Sequence, residues 1–215
     1  MSKRSVNFVP GEFYHIFNRG NSKQEIFHDN TDYHRFLKLL YTTNSDSNMT
    51  IRDFSKDVYD KQREDPLVAI GAYCLMPNHF HLLITPQAED GVSRFMHKLG
   101  TAYSMYHNNK YGRSGGLFEG KFKSEYASDD RHLKYLFSYI HLNPLKLIDS
   151  KWKEKDFKGK TQLIQFLETY KFSSYMDYLN IGRSDAIILD RIKFPEYFPS
   201  KSSFKSEILE WATLA

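Results

Sequence analysis

Two short stretches carry side chains able to do chemistry together. The first is Tyr73-Cys74-Leu75-Met76-Pro77-Asn78-His79-Phe80-His81-Leu82-Leu83-Ile84. On a strand, residues i and i+2 project from one face, so His79 and His81 can converge on one point. Neutral imidazole ligates Mn2+ or Zn2+, and Mg2+ is accommodated when phosphate oxygens and water complete its shell. The same pair also suits a surface or hydrogen-bonded role without metal. Leu82, Leu83 and Ile84 supply no further ligand, so the set is not that of a metallo-β-lactamase, nor is the spacing that of an HExxH protease.

The second stretch is Phe137-Ser138-Tyr139-Ile140-His141-Leu142-Asn143-Pro144. Tyr135, Tyr139 and Asn143 recur every four residues and form a helical stripe beside Leu133, Leu136 and Ile140. The chain has 15 tyrosines, so packing is the default for any one of them. Tyr139 stands out because Asn143 could place an amide oxygen near whatever Tyr139 faces. Asn143 precedes Pro144 and is biased out of the α region, which predicts only approximate alignment of the two. His141 points off this face, as a structural residue would.

These stretches must be held by elements that the pattern of the chain predicts. Phe13 to Asn18 reads as a strand ended by the turn Asn18-Arg19-Gly20-Asn21. A helix follows to about Thr43, with an N-cap offered by Asn30-Thr31-Asp32. Asn44 to Arg63 is polar, without a clear period. Leu67 to Leu75 and His79 to Thr85 read as strands joined tightly at Pro77-Asn78, with Phe80, Leu82 and Ile84 opposite the histidine face. Val92 to about Asn108 is helical, Phe118 to Tyr126 extended, and Ser128-Asp129-Asp130 caps the tyrosine helix, which Pro144 stops. Helical patterns recur at Thr161–Thr169, Ser173–Asn180 and Ser184–Ile192, and the remainder is mixed. The expected fold is α+β: a ferredoxin-like, RRM-like antiparallel sheet with helices on one face, plus a mostly helical C-terminal extension. The expected division is residues 1–148 as the catalytic domain and 149–215 as the extension.

Composition sets the outer bounds. The chain has 215 residues, 40% hydrophobic and 26% charged, as in a soluble globular protein. The apolar run Leu67–Met76 is too short to span a bilayer, and Met1 to Asn7 lacks the apolar core of a signal peptide. With a single cysteine, Cys74, no internal disulfide is possible, and the cytoplasm is the expected compartment. A net charge of +4 permits a nucleic-acid partner, and 16% aromatic residues leave some free to stack on unpaired bases. Between His97 and Lys146, eight Lys and Arg face four Asp and Glu, either as solvated helix faces or as phosphate contacts. Arg19, Lys121, Lys123 and Arg131 are the candidate phosphate contacts. Phe118 and Phe122 suit either base stacking or the core.

Tyr73-x-Leu75-Met76-Pro77-Asn78-His79-x-His81-Leu82-Leu83, followed by Tyr139-Ile140-x-x-Asn143-Pro144, resembles the single-tyrosine HUH transposases. The resemblance is to the REP-associated tyrosine transposases, the branch similar to insertion-sequence-two-hundred transposases. Tyr14 to Asn21, Asp32 to Leu37 and Gly116 to Phe122 resemble the same branch, so the likeness runs from about residue 8 to 180. It implies that Tyr139 attacks a phosphodiester of single-stranded DNA, leaving a 5′-phosphotyrosine and a free 3′-OH. It further implies that His79, His81 and Asn143 hold Mg2+ or Mn2+, and that the substrate is a hairpin of a palindromic repeat. A monomer and a homodimer exchanging the tyrosine helix both fit. Two other functions fit less of the pattern: a non-catalytic hairpin-binding module on the same fold, and a metal-dependent hydrolase of small phosphoesters, for which acidic ligands near His81 are lacking.

Overall fold

The computed structural model describes residues 7–47, 57–60, 62–154 and 157–214. Four strands form one antiparallel sheet: β1 (Tyr14–Arg19), β2 (Val68–Met76), β3 (His79–Pro86) and β4 (Lys123–Tyr126), in the order β2-β3-β1-β4. With α1 (Asn30–Thr42) between β1 and β2, and α2 (Gly91–Tyr111) between β3 and β4, this is the ferredoxin-like plan expected from the sequence. α1 starts one residue earlier than its expected cap. Asp29 accepts from the Asp32 backbone N–H at 3.0 Å, which frees the Asp32 carboxylate for the core.

The alternation along β1 and β3 sorts side chains between two cores. Tyr14, Ile16, Phe80, Leu82 and Ile84 pack with Phe36, Leu40, Phe95, Leu99 and Tyr103 of α1 and α2. The expectation of helices on one face holds for these two. The other face is not left to solvent. Leu83 and Ala72 join a second core with Leu136, Phe137 and Ile140 of α3 (Asp130–Leu142) and with the C-terminal residues Tyr175, Tyr178 and Phe204. All nine residues of β2 are buried, as a strand covered on both sides must be.

The C-terminal segment supplies α4 (Phe157–Leu167), α5 (Tyr175–Tyr178) and α6 (Lys201–Leu214). Between α4 and α5 it runs along the outer edge of β2. There the Leu75 N–H donates to Phe172 O at 2.9 Å and the Ser174 N–H to Tyr73 O at 3.0 Å, closing an edge that would otherwise recruit another strand. Arg183 holds this strap down, donating to Asp177, Tyr73 Oη and the carbonyls of Lys171 and Ser173. At the bulge between Ile70 and Ala72, the ring of Phe194, from the chain after α5, lies 2.7 Å from where a Cβ on Gly71 would stand, so glycine is what lets that ring pack against β2. The polar stretch 44–63 falls partly outside the described residues; what is described includes a 3-10 turn at Val58–Asp60.

Candidate active site

The strand register gathers the candidate residues on one face of the sheet. Arg19 pairs with His79, and Phe17 pairs with both His81 on β3 and Lys123 on β4. His15 pairs with Glu125. Directly opposed residues share a face, so His15, Phe17, Arg19, His79, His81, Lys123 and Glu125 all project toward α3.

The tyrosine helix is pinned above them. Asp129 caps α3, accepting from the His132 backbone N–H at 2.8 Å. Leu133, Leu136, Phe137 and Ile140 bury the helix in the second core, which turns Tyr139 toward the histidines. Its ring stands edge-on to His81 at 5.6 Å between centroids and to His15 at 5.7 Å. Strand and helix therefore meet within one chain. α6 backs this helix from outside through Trp211, whose ring lies 5.4 Å from Tyr135.

Asn143 departs from the expectation set by Pro144. It keeps α-helical φ and ψ of −53° and −39°, because a 3-10 turn at Asn143–Leu147 carries the chain onward with proline in its first turn. The Asn143 Nδ2 donates to Tyr139 O at 2.8 Å, so the i, i+4 relation is intact. Its Oδ1 accepts from Lys146 Nζ at 3.0 Å, and the Lys146 ammonium lies 5.4 Å from the Tyr139 ring centre.

The environment of both histidines disfavours their charged forms. Burial, aided by Lys146 and Arg19, lowers the His79 pKa to about 4. Burial and the neighbouring imidazoles of His15 and His79 push His81 well below its usual value. Both rings therefore stay unprotonated at neutral pH. His81 Nε2 is buried and has no hydrogen-bond partner among the described residues, although such a group normally finds one. His79 Nδ1 contacts Asn78 Oδ1 at 2.6 Å, and Asn78 Nδ2 is anchored on Lys23 O at 3.1 Å. This set fits a hard divalent ion that completes its shell with water or phosphate oxygens. Among the described residues no group of three His, Cys, Asp or Glu could close a shell by itself. Burial also raises the Tyr139 phenol, as does Tyr135, while the Asn143 amide pulls it back.

The four candidate DNA contacts separate. Arg19 and Lys123 line a cavity of about 290 Å³ beside His79, together with Phe17, Asn78 and Lys23, which sequence reasoning had not selected. Arg19 is bound there by Glu119 rather than free, with Nη2 donating to Oε1 at 3.1 Å. Lys121 lines a different cavity, of about 730 Å³, between α2 and the segment before β4, which also takes Phe118 and Phe122. Arg131 is exposed in the first turn of α3. Of the basic cluster, Lys98 binds the carbonyls of Ser45 and Ser47, and Lys110 binds Asp29 and Asp32, so these two are structural. His15, Glu125 and Trp211 also went unselected; the only sequence signal was the alternation that put His15 on a strand face.

The family described as "Transposase IS200 like" matches residues 11–143, which span both histidines, Tyr139 and Asn143. A solved structure of a REP-associated tyrosine transposase bound to a REP hairpin superposes with a TM-score of 0.52 at 14% identity, over 86% of this chain and 90% of that one. At that identity the likeness establishes a shared fold. Among curated proteins, none matches the sequence.

Proposed function

Because the chain belongs to the family of IS200-like transposases, we propose that it is a single-stranded DNA nicking and joining enzyme with Tyr139 as its nucleophile. The observation that carries this reading is the placement of the Tyr139 ring 5.6 Å from His81 within one chain. The phenol oxygen attacks a phosphodiester phosphorus, the 3′ oxygen leaves, and a 5′-phosphotyrosine forms. Attack of a 3′-OH on that link releases the tyrosine and rejoins DNA, so no nucleotide cofactor is consumed. Lys146, close to the ring, offsets the charge of the phenolate that must form. His79 and His81, with the Asn143 amide, would hold Mg2+ or Mn2+, which would polarise the scissile phosphate. Arg19, Lys23 and Lys123, which line one cavity with His79, would bind the backbone flanking that phosphate, Arg19 by exchanging its Glu119 partner for a phosphate.

A hairpin is the proposed substrate, since the structural neighbour is a complex with one. With strand and helix meeting in one chain and backed by α6, each copy holds a complete set of the proposed residues, whether the protein acts as a monomer or a homodimer. Among the described residues no helix is long and apolar enough to cross a membrane, and the cytoplasm, where such DNA lies, is the proposed compartment. One observation favours the alternative of a hairpin-binding module without catalysis: Asn143 Oδ1 is engaged by Lys146.

The test uses purified protein, labelled hairpin oligonucleotides with single-stranded flanks, and Mn2+, resolved on a denaturing gel. A covalent adduct in the wild type, lost in Tyr139→Phe and on chelation, is the expected result. An adduct surviving Tyr139→Phe overturns the assignment of the nucleophile. Tight hairpin binding without any adduct, unaffected by chelator or by His79→Ala, supports the binding module instead.

A further inference from the structure

We infer that Glu125 and His15 are positioning residues that fix the tautomer of His81, so that its Nε2 presents a lone pair to a divalent cation. The inference rests on the proposed reading of His79 and His81 as ligands.

The register of three strands does the placing. His15 pairs with Glu125 across β1 and β4, and Phe17, two residues on, pairs with His81 across β1 and β3. The three side chains therefore form a row on one face of the sheet. His15 Nδ1 lies 3.4 Å from Glu125 Oε2, and His15 Nε2 lies 2.8 Å from His81 Nδ1.

Each contact holds one proton, and the two protons are not independent. A carboxylate only accepts, so His15 Nδ1 is the donor in the first contact. A neutral imidazole carries a single N–H. His15 Nε2 must then accept. The proton in the second contact belongs to His81 Nδ1, which leaves His81 Nε2 without one. The reverse order would set a bare His15 Nδ1 lone pair against a carboxylate. It would also place an N–H on His81 Nε2, a buried atom with no acceptor among the described residues. Hydrogen bonding of a ligating histidine through its other nitrogen is how metal sites commonly set orientation and basicity.

The two histidines reach the same state by different devices. At His79 a neutral amide, Asn78, does the work, itself anchored on Lys23 O. At His81 it is a relay ending in a charge. That charge serves a second purpose: Glu125 Oε1 lies 3.3 Å from His132 Nε2 on α3, the helix that carries Tyr139. One carboxylate thus ties the state of the proposed ligand to the seating of the proposed nucleophile. Its side chain is 51% exposed, so it can be replaced without opening the core.

The experiment compares wild type, Glu125→Gln, His15→Phe and the ligand control His79→Ala. Imidazole 15N shifts of the metal-free proteins report the tautomer of His81, and calorimetric titration with Mn2+ reports affinity. In the wild type His81 carries Nδ1–H. In Glu125→Gln and His15→Phe the other tautomer gains population, and Mn2+ binds about 10- to 100-fold more weakly. An Nε2–H form in the wild type overturns the relay, and so does an unchanged tautomer and affinity in Glu125→Gln. If His15→Phe does not fold, the surface change at Glu125 carries the test alone. If wild type and His79→Ala both leave Mn2+ unbound, the ligand reading fails by itself, and the 15N spectra still decide the relay.

Discussion

The two faces of the sheet bury polar groups in opposite ways. On the α1/α2 face, Asp32 has no exposed surface, yet four donors reach its carboxylate: Lys110 Nζ at 2.7 Å, Tyr106 Oη at 2.9 Å, and Tyr111 Oη and the His28 N–H at 2.8 Å. On the α3 face, His81 is also buried, but one of its nitrogens is satisfied and the other has no partner among the described residues. A fully satisfied buried charge locks two helices together. A half-satisfied neutral imidazole carries a desolvation cost that stability alone does not explain. The first arrangement is architecture, and the second leaves a lone pair that the proposed metal would use.

The sharpest way to break this contrast is to mutate each face and read both stability and chemistry. Asp32→Ala leaves two phenols and the His28 N–H without their acceptor and the Lys110 ammonium with Asp29 alone, and should cost about 3 kcal/mol in urea unfolding, toward the low end for a broken buried pair because Lys110 is partly exposed and keeps its second partner. Tyr139→Phe, on the other face, should change stability by no more than about 1 kcal/mol while removing the DNA adduct altogether. A large stability loss in Tyr139→Phe, or none in Asp32→Ala, would show that the two faces do not divide the work in this way.

Acid should separate the faces less strongly. Burial by itself would raise the Asp32 pKa, but the hydrogen bonds from Lys110, His28, Tyr111 and Tyr106 outweigh it and hold it at about 2. A folded pKa below the unfolded value of about 3.9 gives stability that is present above pH 4 and lost as pH falls toward 2. Allowing for solvent at Lys110, the loss is about 1–2 kcal/mol, measured as the difference between wild type and Asp32→Asn in denaturant unfolding across that range. A parallel pH dependence in the two proteins would remove Asp32 from the account.

What could be read from the chain alone follows the range of each interaction. Strand alternation and helical stripes are local, so His79-Phe80-His81, the Asp129 cap and the tyrosine helix were legible, as was the ferredoxin-like order of elements. The relay was not: His15 is 66 residues from His81 and 110 from Glu125, and only the pairing of three strands brings them together. The charges failed for the same reason. Lys110 counted toward a basic cluster, whereas its partner Asp29 lies 81 residues away. α6 was missed although Phe204, Ile208 and Ala212 recur every four residues on its buried face, a signal diluted by the serines and charges around them. The bias of a residue before proline misjudged Asn143, where a 3-10 turn and two side-chain hydrogen bonds outweigh it.

The same logic orders the cations. Lys123 lies beside His79 on the face proposed to bind DNA, so Lys123→Ala should lower the slope of log affinity against log salt for a hairpin by about one unit. Lys98 is bound to backbone carbonyls on the far side, and Lys98→Ala should leave that slope unchanged. Fluorescence anisotropy across a salt series reads both, and equal slopes for the two variants would mean that the DNA path is not confined to the α3 face.

His107 supplies the smallest and most discriminating case. It lies on the α1/α2 side with no exposed surface, and neither ring nitrogen has a hydrogen-bond partner among the described residues. If a bare buried nitrogen were enough to mark a site, His107 would be a better candidate than His81. It lacks what His81 has: no group fixes its tautomer, and its ring packs against Tyr111 at 4.7 Å and His28 at 5.3 Å between centroids. Burial, with His28 and Arg113, lowers its pKa, so the unfolded chain takes up the proton first and stability falls as pH drops below about 6.5. His107→Leu should therefore raise stability by up to about 1 kcal/mol and flatten that acid-dependent loss, with Mn2+ affinity unchanged. Loss of Mn2+ binding in this variant would tie the two faces together and undo the distinction between an anchored imidazole and a merely buried one.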